Sequence, residues 1–286
     1  MVNEPLVSFL MTAFNRQDFV AEAIQSVIDC GFEDWELIVT DDVSTDNTFS
    51  VIKKIAGLDN RIKVFSNEKR LGDYANRNRA ASYASGYYIH YIDSDDKLLP
   101  GTTVKLLSIM RKNPNCMLAM HWKHDSSCFA MDGASALRTH FFTKQFLYIG
   151  PGGTFMQRDF FNSIGGYPEI YGPANDMYFN LKICCYTSIM LVPFEFVYYR
   201  IHAGQEINNT FSYLHNNYNY MKDAINQLPL PLSKKEKNWL LKKNKRRFLV
   251  NAAVFLKLTF NFRLLYQLFK RSQFSFKDAL EGLFHR

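Results

Sequence analysis

Several common functional signatures are missing from this sequence of 286 residues. Neither of the glycine-rich phosphate-binding patterns, GxGxxG and GxxxxGK(S/T), occurs in it, so binding of a dinucleotide or of a P-loop nucleotide has little support. The uncharged run Phe248–Leu256 has only nine residues before Lys257. A membrane-spanning helix needs about 20 residues, and no such helix is predicted.

Cysteine is scarce, and its spacing suits neither a zinc site nor a disulfide framework. The five cysteines contain no CxxC pair, and an odd number cannot pair completely. They are Cys30, Cys116, Cys128, Cys184 and Cys185. We therefore expect reduced, buried thiols in a cytosolic protein. Residues Met1–Pro5 contain no basic run, and no signal peptide is expected.

The net charge of +7 is concentrated in the C-terminal part of the chain. Residues 211–286 hold 15 Lys or Arg against 4 Asp or Glu, whereas the preceding residues hold 19 against 23. Apolar and basic residues recur there near helical spacing, which predicts basic amphipathic helices with a break at Leu228–Ser233. Such helices suit an anionic membrane surface, or they pack on the rest of the chain with solvated charges. No nucleic-acid-binding fold accompanies the charge, so nucleic acid is not an expected partner.

The first part of the chain alternates short apolar runs with amphipathic stretches, which is typical of βαβ units. The predicted strands are Leu6–Ala13, Trp35–Asp41, Ile62–Ser66, Tyr87–Asp93 and Met117–Trp122. The predicted helices between them are Phe19–Ile28, Thr48–Ile55, Tyr74–Ala84 and Thr102–Arg111. The looser pattern of Lys123–Gln145 predicts a loop. We therefore predict an α/β fold, with a mostly parallel central sheet flanked by helices in a domain over residues 1–210, followed by a basic helical region over residues 211–286.

Polar side chains follow three of the predicted strands. They are Thr12 and Asn15 after the first strand, Asp41 and Asp42 after the second, and Asp93, Asp95 and Asp96 after the fourth. Ligands of open parallel sheets bind beyond the carboxyl ends of the strands, so these groups are expected at one edge. Clustered carboxylates repel one another unless a divalent cation neutralises them, and Mg²⁺ or Mn²⁺ held in this way clamps a diphosphate. The alternative for both acidic segments is a turn that caps the following helix.

Several short motifs follow one another along the chain. They are Leu6–Arg16 (LVSFLMTAFNR), Glu36–Thr48 (ELIVTDDVSTDNT), Arg77–Asp96 (RNRAASYASGYYIHYIDSDD), Gly152–Glu169 (GGTFMQRDFFNSIGGYPE), Asn175–Asp176 and Tyr199–His202. In this order and at these spacings the sequence resembles the inverting glycosyltransferases of family 2, over roughly Leu6 to His202. The resemblance implies the Rossmann-like, A-type glycosyltransferase fold for this part of the chain.

The resemblance also implies roles for individual residues. Those at nucleotide-sugar-binding positions are Thr12, Phe14, Asn15, Arg16, Asp41, Asp42, Arg77, Asp93, Ser94 and Asp95. Those of the metal site are Asp93, Asp95, Asp96 and His202, with Mn²⁺ or Mg²⁺ as the cofactor. Asp176 is the candidate general base, and a helix N-cap is the alternative for it. The family usually has Glu-Asp at this point, whereas this chain has Asn175 before the base, so its acceptor chemistry is expected to differ from that of common members.

The expected function is that of an inverting, metal-dependent glycosyltransferase. It would transfer a sugar from a nucleotide-diphosphate donor, with a UDP-sugar favoured, to a glycan or lipid-linked acceptor in cell-surface polysaccharide synthesis. Its expected place is the cytoplasm, with the inner face of the cell membrane as an option for the basic region. One alternative is a sugar nucleotidyltransferase, but that class needs a glycine-rich basic loop after the first strand, and Thr12–Val20 offers only Arg16. The other is a non-catalytic nucleotide-sugar-binding or membrane-adaptor protein, in which Asp176→Asn would change nothing.

Overall fold

The centre of the fold is a mixed sheet, seen in a computed structural model that describes residues 5–123, 126–202 and 209–284. Its strands are β1 (Val7–Ala13), β2 (Trp35–Asp41), β3 (Ile62–Ser66), β4 (Tyr88–Tyr91), β6 (Cys116–His121), β7 (Phe129–Met131), β8 (Thr154–Gln157) and β9 (Ser188–Val192). Within the described ranges these eight strands lie in the order β3-β2-β1-β4-β8-β6-β9-β7. Two short strands, β5 (Lys97–Leu98) and β10 (Val197–Tyr198), form a separate antiparallel pair.

The half of the sheet around β1 is parallel. β1 pairs in parallel with β2 and with β4, and β2 pairs in parallel with β3. Nearly every residue of β1 and β2 is buried, as expected of parallel strands that are covered by helices on both faces. The prediction of a mostly parallel sheet is confirmed, and two antiparallel strands, β7 and β8, complete it.

Helices cover the sheet where apolar residues recur at helical spacing. They are α1 (Val20–Ile28), α2 (Thr48–Ala56), α3 (Asp73–Ser82), α4 (Thr102–Lys112), α5 (Gly133–Arg138), α6 (Arg158–Ser163) and α7 (Asn175–Ile183). In α1, for example, Val20, Ile24 and Val27 share one face, and all three belong to the core that β1 and β2 form. The first four helices begin and end within two residues of their predicted bounds.

Some predictions of local structure are wrong. The strand predicted over Tyr87–Asp93 is only Tyr88–Tyr91, because the chain turns after it and the Asp96 N–H donates to Asp93 O at 2.9 Å. The predicted loop Lys123–Gln145, of which residues 124–125 lie outside the described ranges, contains β7, α5 and a π-helical turn. β7 is stabilised by pairing with the distant β9, which no local pattern reveals. The Cys128 thiol is exposed just before β7, so not every thiol is buried.

From residue 209 onward the described chain is helical, as predicted. Its helices are α8 (Thr210–Gln227), α9 (Lys234–Thr259), α10 (Phe262–Arg271) and α11 (Phe276–Leu283). The predicted break at Leu228–Ser233 is confirmed, since it separates α8 from α9. α8 packs against α7, and its Tyr220 and Ala224 lie in the same hydrophobic cluster as residues of β1 and β4. The basic region is therefore joined to the sheet domain through α8.

α9 is the long helix that organises the C-terminal end. It begins at a capping box formed by Ser233 and Glu236, and α8 packs along it. α11 also lies against α9, where Lys245 pairs with Asp278 at 2.8 Å and with Glu281 at 2.5 Å. Among the described helices, none combines the length and the apolar character needed to cross a membrane.

Candidate active site

Three parallel strands deliver polar groups to one edge of the sheet. The register aligns Ala13 of β1 with Asp41 of β2, and Leu10 of β1 with Tyr91 of β4. The residues that follow these strands, including Asn15, Asp41–Asp42 and Asp93–Asp96, therefore lie at the same carboxyl edge. This juxtaposition was predicted from the order of strands and is confirmed.

An acidic cluster forms where the chain turns after β4. One carboxylate oxygen from each of Asp93, Asp95 and Asp96 lies within 4.8 Å of the other two. Asp96 is the most buried of the three and accepts a hydrogen bond from the Arg200 N–H at 2.9 Å. Burial, and then the negative charge of Asp93, raise the pKa of Asp96 to about 7.

Asp95 is the best-paired member of this cluster. Its Oδ2 accepts hydrogen bonds from Arg16 Nε at 2.8 Å and from His202 Nε2 at 2.9 Å. Burial opposes ionisation of Asp95, but the His202 hydrogen bond and the Arg16 charge outweigh it and lower the pKa. The His202 ring is stacked on Phe19, with 4.8 Å between ring centroids. His202 thus reaches the acidic cluster from a distant part of the sequence.

The cluster fits a divalent cation of the Mg²⁺ or Mn²⁺ type. Both ions take carboxylate oxygens as ligands, and the spacing of Asp93, Asp95 and Asp96 allows one ion to contact all three. A positive charge there also offsets burial and the repulsion by Asp93, which together raise the pKa of Asp96. The alternative of a helix-capping turn is not seen in the described structure, because α4 begins at Thr102, after the β5 strand.

Arg77 links the acidic cluster to helix α3. Its guanidinium is buried, with Nε 2.9 Å from Asp73 Oδ1 and Nη1 2.7 Å from Asp93 Oδ1. It also lies over the rings of Tyr74 and Tyr91, at 5.6 and 5.7 Å from their centroids. Burial disfavours its charge, but the two carboxylates keep its pKa above the ordinary value. Arg77 is therefore a permanent positive charge inside the site.

Phe14 and the acidic pair after β2 form the far end of the site. Arg70 lies over the Phe14 ring at 3.8 Å from its centroid. Asp41 is buried; its Oδ2 accepts the Ser44 N–H at 3.0 Å, and its Oδ1 has no hydrogen-bond partner among the described residues. An unpaired buried carboxylate oxygen is costly, so this atom is a candidate acceptor for a ligand N–H or O–H.

Asp42 has a different environment from Asp41. Its Oδ1 accepts from Asn67 Nδ2 at 2.8 Å and from the Leu71 N–H at 2.7 Å, and its Oδ2 accepts from the Gly72 N–H at 2.9 Å. These bonds hold the loop that leads into α3. Gly72 adopts a φ of 92°, which favours glycine at this turn. Asp42 therefore shapes the site through the loop that carries Asp73.

The remaining predicted nucleotide-binding residues lie at the carboxyl end of β1 and in the acidic turn. Asn15 has a φ of 52°, and its Oδ1 accepts the Thr45 N–H at 2.8 Å, so it joins the β1 and β2 loops. Thr12 lies opposite Thr40 in β2 and is half-buried. Ser94, which lies between Asp93 and Asp95 in the sequence, is buried.

Asp176 lies in the first turn of α7 and is almost fully buried. Burial raises the pKa of its carboxyl to about 7, even though Oδ1 accepts the Met177 N–H at 2.7 Å and the Tyr74 hydroxyl donates a further bond. Its Oδ2 faces Gly150, at 3.8 Å from the position that a Cβ would occupy there. The N-cap of α7 is Ala174, so Asp176 is not the capping residue.

Asn175 turns away from this carboxylate. Its Oδ1 accepts the Tyr171 N–H at 2.9 Å, and its Nδ2 donates to Gly172 O at 2.7 Å. The side chain thus closes the turn before α7, and it is buried. Asn175 therefore stabilises the start of α7, the helix that carries Asp176.

Other residues of the site were missed by sequence reasoning. Tyr74 and Arg70 contact predicted residues only through the tertiary fold, and no local motif marks them. Asp73 pairs with Arg77 within α3 at i,i+4 spacing, which is a signal that the sequence does contain. His140, in the π-helical turn Thr139–Thr143, accepts the Phe146 and Leu147 N–H groups on Nδ1, both at 3.1 Å. Burial lowers the pKa of His140 to about 4, so the ring is neutral and retains the acceptor.

Asn180 of α7 binds the carbonyl groups of the segment whose amide groups His140 binds. Its Nδ2 donates to Leu147 O at 2.9 Å and to Ile149 O at 2.8 Å. The segment that leads to Gly150 is therefore fixed at both its amide and its carbonyl groups. The loop that faces the Asp176 carboxylate has a defined position as a result.

Comparison with known proteins agrees with this geometry. The model of the family "Glycosyl transferase family 2" matches residues 8–162. The Escherichia coli enzyme "UDP-Glc:alpha-D-GlcNAc-diphosphoundecaprenol beta-1,3-glucosyltransferase WfgD" is 37% identical over 112 residues, which are 39% of this chain and 44% of that protein. The chain spans less than half the length of the first curated relatives that it matches.

Two solved structures share the architecture. The S. aureus TarS 1-349 complex with UDP-GlcNAc has a TM-score of 0.71 and 18% identity, over 93% of this chain and 79% of TarS. The Pyrobaculum calidifontis mannosyltransferase PcManGT, in complex with GDP-Man and Mn²⁺, has a TM-score of 0.63 and 13% identity, over 99% of this chain and 88% of that one. At these identities the likeness defines the fold alone.

Fold and sequence together define the class. The sheet, with its acidic turn after β4, is that of the A-type glycosyltransferases, as the sequence resemblance implied. The match to the family model extends over more than half of the chain. This chain therefore belongs to glycosyl transferase family 2.

Proposed function

We propose that this chain transfers one sugar from a nucleotide-diphosphate donor to a hydroxyl of a glycan or lipid-linked acceptor, with inversion at the anomeric carbon. The observation that carries the proposal is the placement of Asp176. A buried carboxyl with a pKa of about 7 faces an open glycine and interacts electrostatically with Arg77, which pairs with Asp93 of the acidic cluster. This arrangement supports a single site that combines a base with a diphosphate-binding cluster.

The donor nucleotide is assigned to the carboxyl ends of β1 and β2. The Phe14 ring, which has Arg70 over one face, is assigned to the nucleobase, and the unpaired Asp41 Oδ1 is assigned to an N–H or O–H of the nucleoside. Asn15 and Asp42 hold the loops around this place, and Thr12 and Ser94 are assigned to the same site. A UDP-sugar is favoured because the Escherichia coli relative is named for UDP-Glc and the S. aureus TarS complex contains UDP-GlcNAc.

The diphosphate is assigned to the acidic cluster. Asp93, Asp95 and Asp96 would hold Mn²⁺ or Mg²⁺, with His202 beside Asp95 as a further ligand or a diphosphate contact. When bound, the cation supplies positive charge that stabilises the departing nucleoside diphosphate. The Pyrobaculum calidifontis mannosyltransferase was solved in complex with Mn²⁺, which supports the choice of metal. Arg16 and Arg77 keep positive charge beside the same carboxylates.

Asp176 acts as the general base. Its ionised carboxylate takes the proton of the acceptor hydroxyl while the hydroxyl oxygen attacks the anomeric carbon. The bond from that carbon to the donor diphosphate breaks on the opposite face, and its electron pair leaves with the nucleoside diphosphate. A single displacement of this kind inverts the anomeric configuration.

The two alternatives have weaker support. A sugar nucleotidyltransferase needs free basic groups for a triphosphate after β1, whereas Arg16, the basic residue there, is paired with Asp95. A non-catalytic binding or adaptor protein gives no reason for a buried carboxyl with a pKa near 7 to face Gly150.

The name of the Escherichia coli relative contains a diphosphoundecaprenol-linked sugar, which supports a lipid-linked acceptor for cell-surface polysaccharide synthesis. Such an acceptor places the reaction in the cytoplasm, at the inner face of the cell membrane. This proposal requires that the catalytic domain come close to the bilayer.

The direct test is an assay of sugar transfer. Purified chain, Mn²⁺ and a panel of UDP-sugars are incubated with a polyprenyl-diphosphate-linked saccharide, and UDP release and the product anomer are followed by NMR. We expect transfer with inverted configuration, and loss of nearly all activity in Asp176→Asn. Donor binding without transfer, equal in wild type and Asp176→Asn, would instead support the adaptor alternative.

A further inference from the structure

Large apolar side chains are exposed together where α9 meets α10. Leu258 is 77% exposed, Phe260 79% and Phe262 70%. Val254, one turn before Leu258 on α9, is also exposed. We call this set, together with the exposed Lys257 and Arg263, the α9–α10 corner. Several large exposed apolar side chains so close together along the chain are more typical of an interaction site than isolated exposed residues are.

The corner is not needed for packing of the helices. Another side of α9 presents Phe248, Ala252 and Phe255, which are buried, and Leu268 is the buried residue of α10. Phe248, Ala252 and Leu268 form a cluster with Tyr218 of α8. One side of these helices therefore packs on the domain, while the other presents the corner to the surroundings.

The charge around the corner has a single sign. Residues 237–277 contain 11 Lys or Arg and no Asp or Glu. The nearest acidic residues along the chain after this stretch are Asp278 and Glu281, and both are paired with Lys245. Lys257 and Arg263 therefore flank the exposed phenylalanines in a strongly positive region, which is complementary to a surface of phosphate headgroups.

We infer that the α9–α10 corner docks on an anionic membrane surface. The Leu and Phe side chains would enter the boundary between headgroups and acyl chains, and Lys257 and Arg263 would remain at the level of the phosphates. The chain then lies on the bilayer, in keeping with described helices that do not span it. A second copy of the chain is a poorer occupant, because a symmetric contact would bring two basic corners together.

The position of the corner connects it to the proposed reaction. α9 packs on α8, and α8 packs on the turn Gly172–Ala174 that precedes Asp176. Docking through this corner would bring the catalytic domain to a lipid-linked acceptor, a consequence that rests on the proposed function. The docking itself rests only on the surface of the corner and is tested without any sugar transfer.

The experiment is flotation of the full chain with two kinds of vesicle, one of phosphatidylcholine alone and one of phosphatidylcholine mixed with phosphatidylglycerol. Lys257→Glu/Arg263→Glu reverses both charges, and Phe262→Ser removes apolar surface. Lys53→Glu/Lys54→Glu on the exposed side of α2 changes the net charge equally, and Leu58→Ser changes another exposed apolar residue. All of these side chains are exposed, so the thermal midpoints should match that of the wild type.

We expect wild type and both control variants to float with the anionic vesicles and to be released by salt. The charge variant should partition into the anionic vesicles less than the wild type by on the order of twentyfold, because each basic group near the headgroups strengthens binding to the vesicle. Phe262→Ser should also partition into them less than the wild type does. Absence of wild-type flotation would overturn the proposal, as would equal flotation of the corner variants and controls. Loss of a dimer in Phe262→Ser, without vesicle binding by the wild type, would assign the corner to a second copy. If the wild-type chain floats with anionic vesicles but does not bind UDP, the proposed membrane docking is supported and the proposed function is rejected.

Discussion

Titration of Asp176 is the most detailed prediction of the proposed chemistry. Burial raises the pKa of this carboxyl from its ordinary 3.8 to about 7. The base must be ionised to accept a proton, and the ionised fraction of such a group rises from about one in eleven at pH 6 to about ten in eleven at pH 8. We therefore expect kcat/KM to increase about tenfold over this range. An ordinary surface aspartate would give a flat profile there.

Tyr74→Phe identifies the residue that titrates. The Tyr74 hydroxyl donates to Asp176 and stabilises the ionised form, so its removal should raise the pKa of Asp176 further. The acid limb of the profile should therefore move to higher pH. Asp96 also has a raised pKa, but Tyr74 is not among the causes of its shift. An unmoved acid limb in Tyr74→Phe would refute the assignment.

The same shift predicts a gain of stability in Asp176→Asn. Between pH 3.8 and about 7 the folded state retains the proton that the unfolded chain releases, so the stability that this group contributes falls as pH rises through that window. Three pKa units correspond to ~4 kcal/mol. The neutral amide avoids this cost, so urea unfolding should show Asp176→Asn more stable than the wild type at pH 8 by up to that amount. A less stable Asp176→Asn at pH 8 would mean that the carboxyl is not held in a raised-pKa environment.

Three further predictions concern other parts of the site. Asp41→Asn should weaken UDP binding by about tenfold or more in calorimetry, because a hydrogen bond to a charged acceptor is worth ~1.5–3 kcal/mol. Unchanged affinity would mean that the nucleoside binds elsewhere. Val43→Gly should raise the free energy of unfolding by about 1 kcal/mol, because Val43 adopts a φ of 63° and a β-branched residue is strained there; a loss of stability would contradict this. His140→Phe removes the acceptor for two backbone amides, so hydrogen exchange at Phe146 and Leu147 should accelerate and the KM for acceptor should rise, with UDP affinity unchanged. Unchanged exchange there would show that Asn180 alone holds the segment.

Features that depend on local spacing were predictable from the sequence. The strands β1 and β2 are evident as apolar runs, and the carboxylates of Asp41 and Asp93 follow directly after such runs. Because parallel strands end at a common edge, the order of elements was enough to bring these groups together. The shortened strand β4 shows the limit, since a turn closed by Asp93 and Asp96 ends it before the apolar pattern does.

Features that depend on long-range contacts were not predictable. The hydrogen bond from Tyr74 to Asp176 joins α3 to α7, and the pair of Arg77 with Asp93 joins α3 to the turn after β4. Neither carries a local sequence signal, because each residue in isolation suits a helix surface as well. β7 also has no local sequence signal, because it forms by pairing with the distant strand β9.

Asp41 and Asp42 illustrate why adjacent residues of one motif need the structure to be told apart. Their sequence context is the same, yet both carboxylate oxygens of Asp42 accept hydrogen bonds from the loop before α3. One buried carboxylate oxygen of Asp41, by contrast, has no hydrogen-bond partner among the described residues. The difference arises because successive side chains at the end of a strand point in opposite directions. We therefore expect Asp42→Asn to affect stability more than nucleotide affinity.

The thermal stability of the chain with nucleotides and metal tests the central claim most directly. The melting temperature is measured with UDP, GDP, dTDP and CMP, each with and without Mn²⁺, for the wild type, for Asp93→Ala/Asp95→Ala and for the surface control Asp29→Ala/Asp34→Ala. We predict that UDP with Mn²⁺ raises it by several degrees, since ligand at 100 times its Kd adds about 2.7 kcal/mol. The control should respond like the wild type and the site variant should not. If no nucleotide stabilises the wild type under any condition, or if the site variant responds fully, the assignment of the donor and metal site is contradicted.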